Sequence, residues 1–122
     1  MANILILDDE YANRLLLTTV LRHAGHRVLE AATGAEAVRI AGERRLDLLL
    51  VDLSLPGMSG AEVIRAVRSQ SATVGMRIAL YTGTPVDAAL RDFMERNAIA
   101  HVVPKPSDPH ALLRAVEAAL HG

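Results

Sequence analysis

The feature that most constrains the fold of this chain is a series of short apolar runs that recurs at a steady interval. Five runs have the length and composition of β-strands: Asn3–Leu7, Arg27–Ala31, Asp47–Val51, Arg77–Tyr81 and His101–Val103. Their centres lie about 20 to 30 residues apart, so each gap has room for one helix and its turns. Three of the runs are almost continuously apolar, which is typical of strands buried on both faces of a parallel sheet.

Helical periodicity and helix-start signals fill the gaps between these runs. Four starts are predicted from a cap residue and its partner: Thr33 with Glu36, Ser59 with Glu62, Thr84 with Pro85, and Asp108 with Pro109. Because strands and helices alternate strictly, and the chain is too short for eight such units, we predict an α/β fold with an open, doubly wound parallel sheet of five strands and five helices. We expect a single domain over residues 1–122, without an output domain.

Composition excludes several classes of function. The chain has no cysteine, which excludes disulfides, thiolate zinc sites and thiol catalysis. Its aromatic share of 2% and net charge of −1 argue against binding a nucleic acid or an anionic membrane. The first apolar stretch is only four residues long and runs into acids, so it does not predict a signal peptide. We therefore expect a cytoplasmic protein with neither nucleic acid nor membrane as a direct partner.

Chemically active side chains collect at the predicted carboxyl ends of four strands, where sheets of this class bind their ligands. Asp8 and Asp9 follow the first strand, and Asp52 follows the third. Thr82 follows the fourth strand, and Lys105, the only lysine of the chain, follows the fifth. Three carboxylates at one sheet edge repel each other, and a hard divalent cation such as Mg²⁺ would relieve that repulsion.

This set of groups is suited to phosphoryl transfer. A carboxylate can act as the nucleophile and form an acyl phosphate, while the metal and the Lys105 ammonium neutralise the phosphoryl oxygens and Thr82 donates a hydrogen bond. The alternative is that Asp8 and Asp9 only cap the first helix. The loop after the first strand contains no glycine, which argues against a phosphate cradle for a nucleotide or flavin there.

Four separated segments of the chain carry a family resemblance: ILILDDE (4–10), LLLVDLSLPGMSG (48–60), ALYTG (79–83) and VVPKP (102–106). In order and spacing they resemble the response-regulator receiver domain, the CheY-like family of two-component signalling. The resemblance extends over the whole chain. It implies a flavodoxin-like sheet with strand order 2-1-3-4-5.

The same resemblance implies a role for each residue of the site. Asp52 would accept a phosphoryl group from a histidine kinase or a phosphotransfer protein, and Thr82 and Lys105 would contact the phosphoryl oxygens. The implied ligands of Mg²⁺, or of Mn²⁺ in its place, are Asp9 and Asp52 directly, Asp8 through water, and the backbone carbonyl of Ser54. The peptide bond between Lys105 and Pro106 would be cis.

One position departs from the family pattern. Val102 stands where the family usually has Tyr or Phe, the aromatic side chain that reports phosphorylation to the surface. Valine is small and stiff at χ1, so a rotamer swing there is a poor signal. We expect the signal to pass instead through the segment 83–87, where Gly83 can absorb a backbone change, and into the fourth helix. The downstream target, which the sequence does not identify, would then bind the face formed by the fourth helix, the fifth strand and the fifth helix.

Two other functions remain open on the sequence alone. An aspartate-nucleophile phosphohydrolase would use Asp8 as its nucleophile and Glu10 as the second acid, but 122 residues leave no room for a substrate-binding insertion. An interaction domain that kept the fold and lost the chemistry would not need the five site residues together. A small phosphodonor would separate these cases by a stable or slowly decaying adduct, by multiple turnover, or by no reaction.

Overall fold

The computed structural model describes residues 1–105 and 108–121, in which β-strands and α-helices alternate strictly, as predicted. The elements in chain order are β1 (Asn3–Leu7), α1 (Tyr11–His23), β2 (Arg27–Ala31), α2 (Gly34–Glu43), β3 (Leu48–Asp52), α3 (Gly60–Ser69), β4 (Ile78–Thr82), α4 (Ala88–Arg96), β5 (His101–Pro104) and α5 (Pro109–His121). No helix over these ranges is long and apolar enough to cross a lipid bilayer.

The strands form one parallel sheet in the order β2-β1-β3-β4-β5, which confirms the order implied by the family resemblance. Leu5 of β1 pairs with Leu29 of β2 on one side and with Leu49 of β3 on the other. The chain therefore places β1 and β3 side by side at the centre. The acids that follow β1 and the acid that ends β3 consequently lie at the same edge of the sheet.

Helices cover both faces of the sheet and create two separate cores. Along β1, Ile4 and Ile6 face a core built with α1 and α5, which we call the α1/α5 core. Leu5 and Leu7 face the opposite core, built with α2, α3 and α4, which we call the α2–α4 core. Strands β3 and β4 are buried along their whole length. Each fully buried aliphatic side chain contributes about 1.5–3 kcal/mol, so these central strands hold the site edge rigidly.

Three of the four predicted helix starts are confirmed. Ser59 and Glu62 form a complete capping box at the start of α3. The Thr33 side chain accepts a hydrogen bond from the Glu36 amide at the start of α2. At the start of α5, Asp108 Oδ1 accepts a hydrogen bond of 2.8 Å from an amide of the first turn. These caps satisfy amides that have no partner within their helix.

The prediction of a helix start at Thr84 and Pro85 is wrong. Helix α4 begins at Ala88, and its cap is Asp87, whose Oδ1 accepts a hydrogen bond of 2.8 Å from the Leu90 amide. The Thr84 amide instead donates to the Thr82 hydroxyl, in a local turn that competes with a helix. Residues 83–87 therefore form an exposed loop between the end of β4 and α4.

Strand boundaries also differ slightly from the prediction. Strands β3 and β4 begin and end one residue later than predicted, and β5 extends to Pro104. Asp52 still pairs with Tyr81 across the two central strands, because the backbone ladder continues past the last apolar side chain. Asp52 and Thr82 are therefore the last residues of β3 and β4, at the strand ends where the site was predicted.

Candidate functional site

The carboxyl edge of the sheet brings the predicted side chains together. Carboxylate oxygens of Asp8, Asp9 and Asp52 all lie within 4.8 Å of one another. The Lys105 ammonium reaches the same point from the residue after β5. Thr82 ends β4, the strand beside the one that ends in Asp52. Parallel strands align their carboxyl ends, which is why residues 97 positions apart in the chain meet here.

Asp8 is fully buried and held by its own loop. Its Oδ1 accepts a hydrogen bond of 2.9 Å from the Glu10 amide, and its amide donates to the Ala31 carbonyl at the end of β2. The Arg14 guanidinium, on the first turn of α1, donates from Nη1 to the Asp8 carbonyl oxygen at 2.8 Å. By contrast, Asp9 is exposed to solvent. The pair therefore combines a fixed, buried carboxylate with an accessible one.

Asp52 is almost fully buried, with 3% of its surface exposed. Its Oδ1 accepts a hydrogen bond of 2.9 Å from the Ser54 amide, and its Oδ2 lies 2.9 Å from Lys105 Nζ. Two donors on two oxygens fix the orientation of the carboxylate. A buried charge requires such partners, because desolvation without them would be costly.

Lys105 contacts both buried acids, with Nζ 3.3 Å from Asp8 Oδ2 in addition to its shorter contact with Asp52. Burial by itself lowers the pKa of the ammonium, but the hydrogen bond and charge of Asp52, followed by those of Asp8, outweigh burial and raise the pKa of Lys105 above its ordinary value. The group therefore stays positively charged throughout the physiological pH range. It is the cation that pairs with the two buried acids of the site, Asp8 and Asp52.

Thr82 is 4% exposed, and its backbone and side chain are both engaged. Its carbonyl oxygen accepts a hydrogen bond of 3.0 Å from the Lys105 amide, which joins the ends of β4 and β5. Its Oγ1 accepts one from the Thr84 amide, also at 3.0 Å. Because a hydroxyl has one proton to donate, this arrangement leaves the Thr82 proton available to a ligand at the sheet edge.

Two predicted details are not resolved by this geometry. Ser54 is exposed and its amide binds the Asp52 carboxylate, while the role of its carbonyl as a metal ligand stays a prediction. The predicted cis peptide between Lys105 and Pro106 lies outside the described residues, which stop at 105 and resume at 108.

Two residues near the site were missed by the sequence reasoning. Arg14 Nε lies 3.3 Å from Glu30 Oε1, so its guanidinium joins α1 and β2 while it holds the Asp8 carbonyl. Tyr81 places its ring centroid 4.6 Å from Lys105 Nζ. A usable signal existed for Tyr81, since it is one of only three aromatic residues in the chain and directly precedes Thr82.

The donor set fits a hard divalent cation. Three carboxylates converge within 4.8 Å, two of them buried, and one ammonium compensates only part of their charge. Mg²⁺ is bound in proteins by a few carboxylates together with water and phosphate oxygens, and the exposed side of Asp9 leaves access for both. Asp8, Asp9 and Asp52 would hold such an ion.

The fold and this acidic edge define a class of protein, and comparison with known proteins identifies it. The family model of the response regulator receiver domain matches residues 4–117. The chain belongs to this family, the receiver domains of two-component signalling. It is 30% identical to protein PilH of Pseudomonas aeruginosa over 122 residues, an alignment that covers the full length of both proteins.

Solved structures show the same architecture. The chemotaxis protein CheY4 of Vibrio cholerae superposes with a TM-score of 0.90 at 29% identity, over 98% of each chain. The receiver domain of the sensor histidine kinase PA1611 of Pseudomonas aeruginosa superposes with a TM-score of 0.86 at 26% identity, over 99% of this chain and 98% of that one. That domain was solved with a magnesium ion coordinated in its active-site cleft.

Proposed function

We propose that this chain accepts a phosphoryl group on Asp52 from a histidine kinase or a phosphotransfer protein, in a Mg²⁺-dependent reaction that switches the binding of a downstream protein. The observation that carries the proposal is the contact of 2.9 Å between Lys105 Nζ and the buried Asp52 Oδ2. Strand β3 also lies between β1 and β4. Asp52 is therefore flanked by the acids that follow β1 on one side and by Thr82 on the other.

Each group has a defined task in the transfer. An Asp52 carboxylate oxygen forms a bond to phosphorus, and the bond between phosphorus and the donor breaks, with its electron pair leaving on the donor. Lys105 keeps its three protons and offsets negative charge on the phosphoryl oxygens, while the Thr82 hydroxyl donates a hydrogen bond to one of them. Bound Mg²⁺, held by Asp8, Asp9 and Asp52, would supply further positive charge to the transferred group.

The surface that carries the signal is proposed from the same geometry. The loop 83–87 is exposed and directly follows Thr82, and α4 after it buries only Met94. A change at Thr82 can therefore move this loop at little cost in lost packing. Val102 packs against the α2–α4 core. Its side chain is too small to fill the space that an aromatic residue at this position would fill when its ring changes rotamer. We assign target binding to the face of α4, β5 and α5.

Phosphorylation with acetyl phosphate, followed by intact mass, tests this function. The unmodified chain should gain about 80 Da in the presence of Mg²⁺ and nothing in the presence of EDTA. The Asp52→Asn variant should gain nothing. A matched control is Asp47→Asn, which removes an exposed carboxylate before β3 rather than after it. Continuous release of phosphate by multiple turnover would favour a phosphohydrolase, and no reaction at all would favour an interaction domain without the chemistry.

A further inference from the structure

The ammonium of Lys105 has a third neighbour besides its two carboxylates. The Tyr81 ring lies beneath it, with its centroid 4.6 Å from Nζ, within the range of about 6 Å over which a cation is attracted by an aromatic face. Tyr81 is a buried residue of β4, 3% exposed, and it directly precedes Thr82. Its ring is held in the core, whereas the lysine side chain is 21% exposed and reaches the site over a long, flexible stem.

Tyr81 lies on the opposite face of the sheet from Val102, the position at which the family usually has the aromatic residue that reports phosphorylation. Tyr81 pairs with Val103 across β4 and β5, and both residues belong to the α1/α5 core. Val102 packs against the α2–α4 core on the opposite face of the sheet. Tyr81 therefore cannot replace the aromatic side chain missing at position 102. Its ring is a fixed surface under Lys105.

We propose that Tyr81 is a positioning residue for Lys105, and that its ring face holds the ammonium against Asp52 before and during phosphoryl transfer. This inference rests on the proposed function. The carboxylate partners of Lys105 change during the reaction, because an Asp52 oxygen becomes bonded to phosphorus. The ring face of Tyr81 does not change, so it keeps Nζ at the sheet edge while the ammonium moves from carboxylate to phosphoryl oxygen.

The step that depends on this positioning is the transfer itself. With acetyl phosphate as donor, an Asp52 oxygen bonds to phosphorus, the bond from phosphorus to the acetate oxygen breaks, and acetate leaves with the electron pair. Lys105 gains and loses no proton. A ring that only filled the core would leave the rate of this step unchanged when another apolar side chain of similar size replaced it.

Because Lys105 is the only lysine, ¹³C-labelled lysine gives a direct view of its side chain in the whole chain. The ε-methylene protons should resonate upfield of an exposed lysine, since they lie near a ring face. The Tyr81→Phe variant should keep this shift and Tyr81→Leu should lose it. An unshifted lysine signal in the unmodified chain would overturn the proposal, even if Tyr81→Leu did not fold.

The rate of phosphorylation tests whether Tyr81 contributes to phosphoryl transfer. At limiting acetyl phosphate with Mg²⁺, Tyr81→Leu should react about tenfold more slowly and Tyr81→Phe at nearly the unmodified rate. Val116→Ala is the matched control, because it weakens the same α1/α5 core from α5. An unmodified rate in Tyr81→Leu, an equal loss in Tyr81→Phe, or an equal loss in Val116→Ala would each overturn the role of Tyr81. No adduct in the unmodified chain would overturn the proposed function as well.

Discussion

Gly60, the first residue of α3, lies directly against the main chain of Asp52. A β-carbon at position 60 would overlap the Asp52 carbonyl oxygen and would come within 2.8 Å of the Leu53 α-carbon. Both neighbours are backbone atoms at the end of a buried strand, so neither can move away cheaply. The start of α3 can approach the candidate phosphoacceptor this closely only because residue 60 has no side chain.

We therefore expect Gly60→Ala to destabilise the fold by about 1–3 kcal/mol, the usual cost of forcing extra volume into a packed region. It should also slow the reaction of Asp52, whose backbone must shift. Gly42→Ala is the control, since a β-carbon there meets only the Gln70 side chain, at 3.9 Å, and alanine favours a helix interior by up to about 1 kcal/mol. Urea unfolding measures both, and equal stabilities for the two variants would contradict the close packing.

Loss of the Asp9 carboxylate should have opposite effects on the stability of the metal-free protein and on its stabilisation by Mg²⁺. Of the three acids, the Lys105 ammonium pairs with Asp8 and Asp52, so Asp9 adds a like charge without an ammonium partner among the described residues. Asp9→Asn should therefore raise the melting temperature in EDTA, by removing repulsion, and should lose most of the stabilisation that Mg²⁺ gives by binding the folded state.

Thermal melts with and without Mg²⁺ measure both effects. Asp92→Asn is the control, because Asp92 pairs with Arg96 on the exposed surface of α4. Its melting temperature should respond to Mg²⁺ as the unmodified chain does. A Mg²⁺ response in Asp9→Asn equal to that of the control would contradict the assignment of Asp9 as a ligand.

Ala98 should be a site of stored backbone strain. It has a φ of 56°, in the left-handed region that favours glycine, and lies two residues after the end of α4, where the Ile99 amide closes the helix end by donating to the Met94 carbonyl. Ala98→Gly should stabilise the fold by about 1 kcal/mol in urea unfolding. Ala100→Gly, two residues on and without a positive φ, should lower stability instead. A loss of stability in Ala98→Gly would contradict the strain.

The readout loop can be tested without a substitution. Binding of beryllofluoride, a mimic of the phosphoryl group, should strongly move the amide resonances of residues 83–89 other than Pro85, which has no amide proton. Gly83 is a poor site for a bulky test substitution, because a β-carbon there would lie 3.3 Å from the Lys105 carbonyl oxygen and would disturb the site itself. Large changes confined to the loop after Asp52, with 83–89 unmoved, would contradict the proposed route.

Much of the fold, and the convergence of the site residues, could be predicted from the spacing of the apolar runs and from the positions of the polar residues at their ends. Buried parallel strands require continuous apolar runs, and their carboxyl ends meet at one edge, which is enough to bring Asp8, Asp52 and Lys105 together. The start of α3 was likewise predictable from Ser59 and Glu62, because a capping box is local chemistry.

What escaped prediction depends either on a local turn that competes with a helix or on packing between segments distant in the chain. Thr84 carries the same cap signal as a true helix start. Its amide donates to the Thr82 hydroxyl, however, so these residues form a turn instead of a helix. The contact of Tyr81 with Lys105 requires the pairing of β4 with β5. The approach of Gly60 to Asp52 requires the position of α3 on the sheet, which no local pattern specifies.

Hydride trapping of the phosphorylated chain tests the role of Asp52 most directly. Borohydride reduces an acyl phosphate to an alcohol and so converts a phosphorylated aspartate to homoserine, which marks the residue permanently. Cleavage after arginine places Asp52 in the peptide 46–65 and places Asp8 and Asp9 in the peptide 1–14. After reaction with acetyl phosphate and Mg²⁺, fragment masses should locate homoserine at position 52. Homoserine at position 8 or 9, or none in a chain that carries the phosphoryl group, would contradict the assignment.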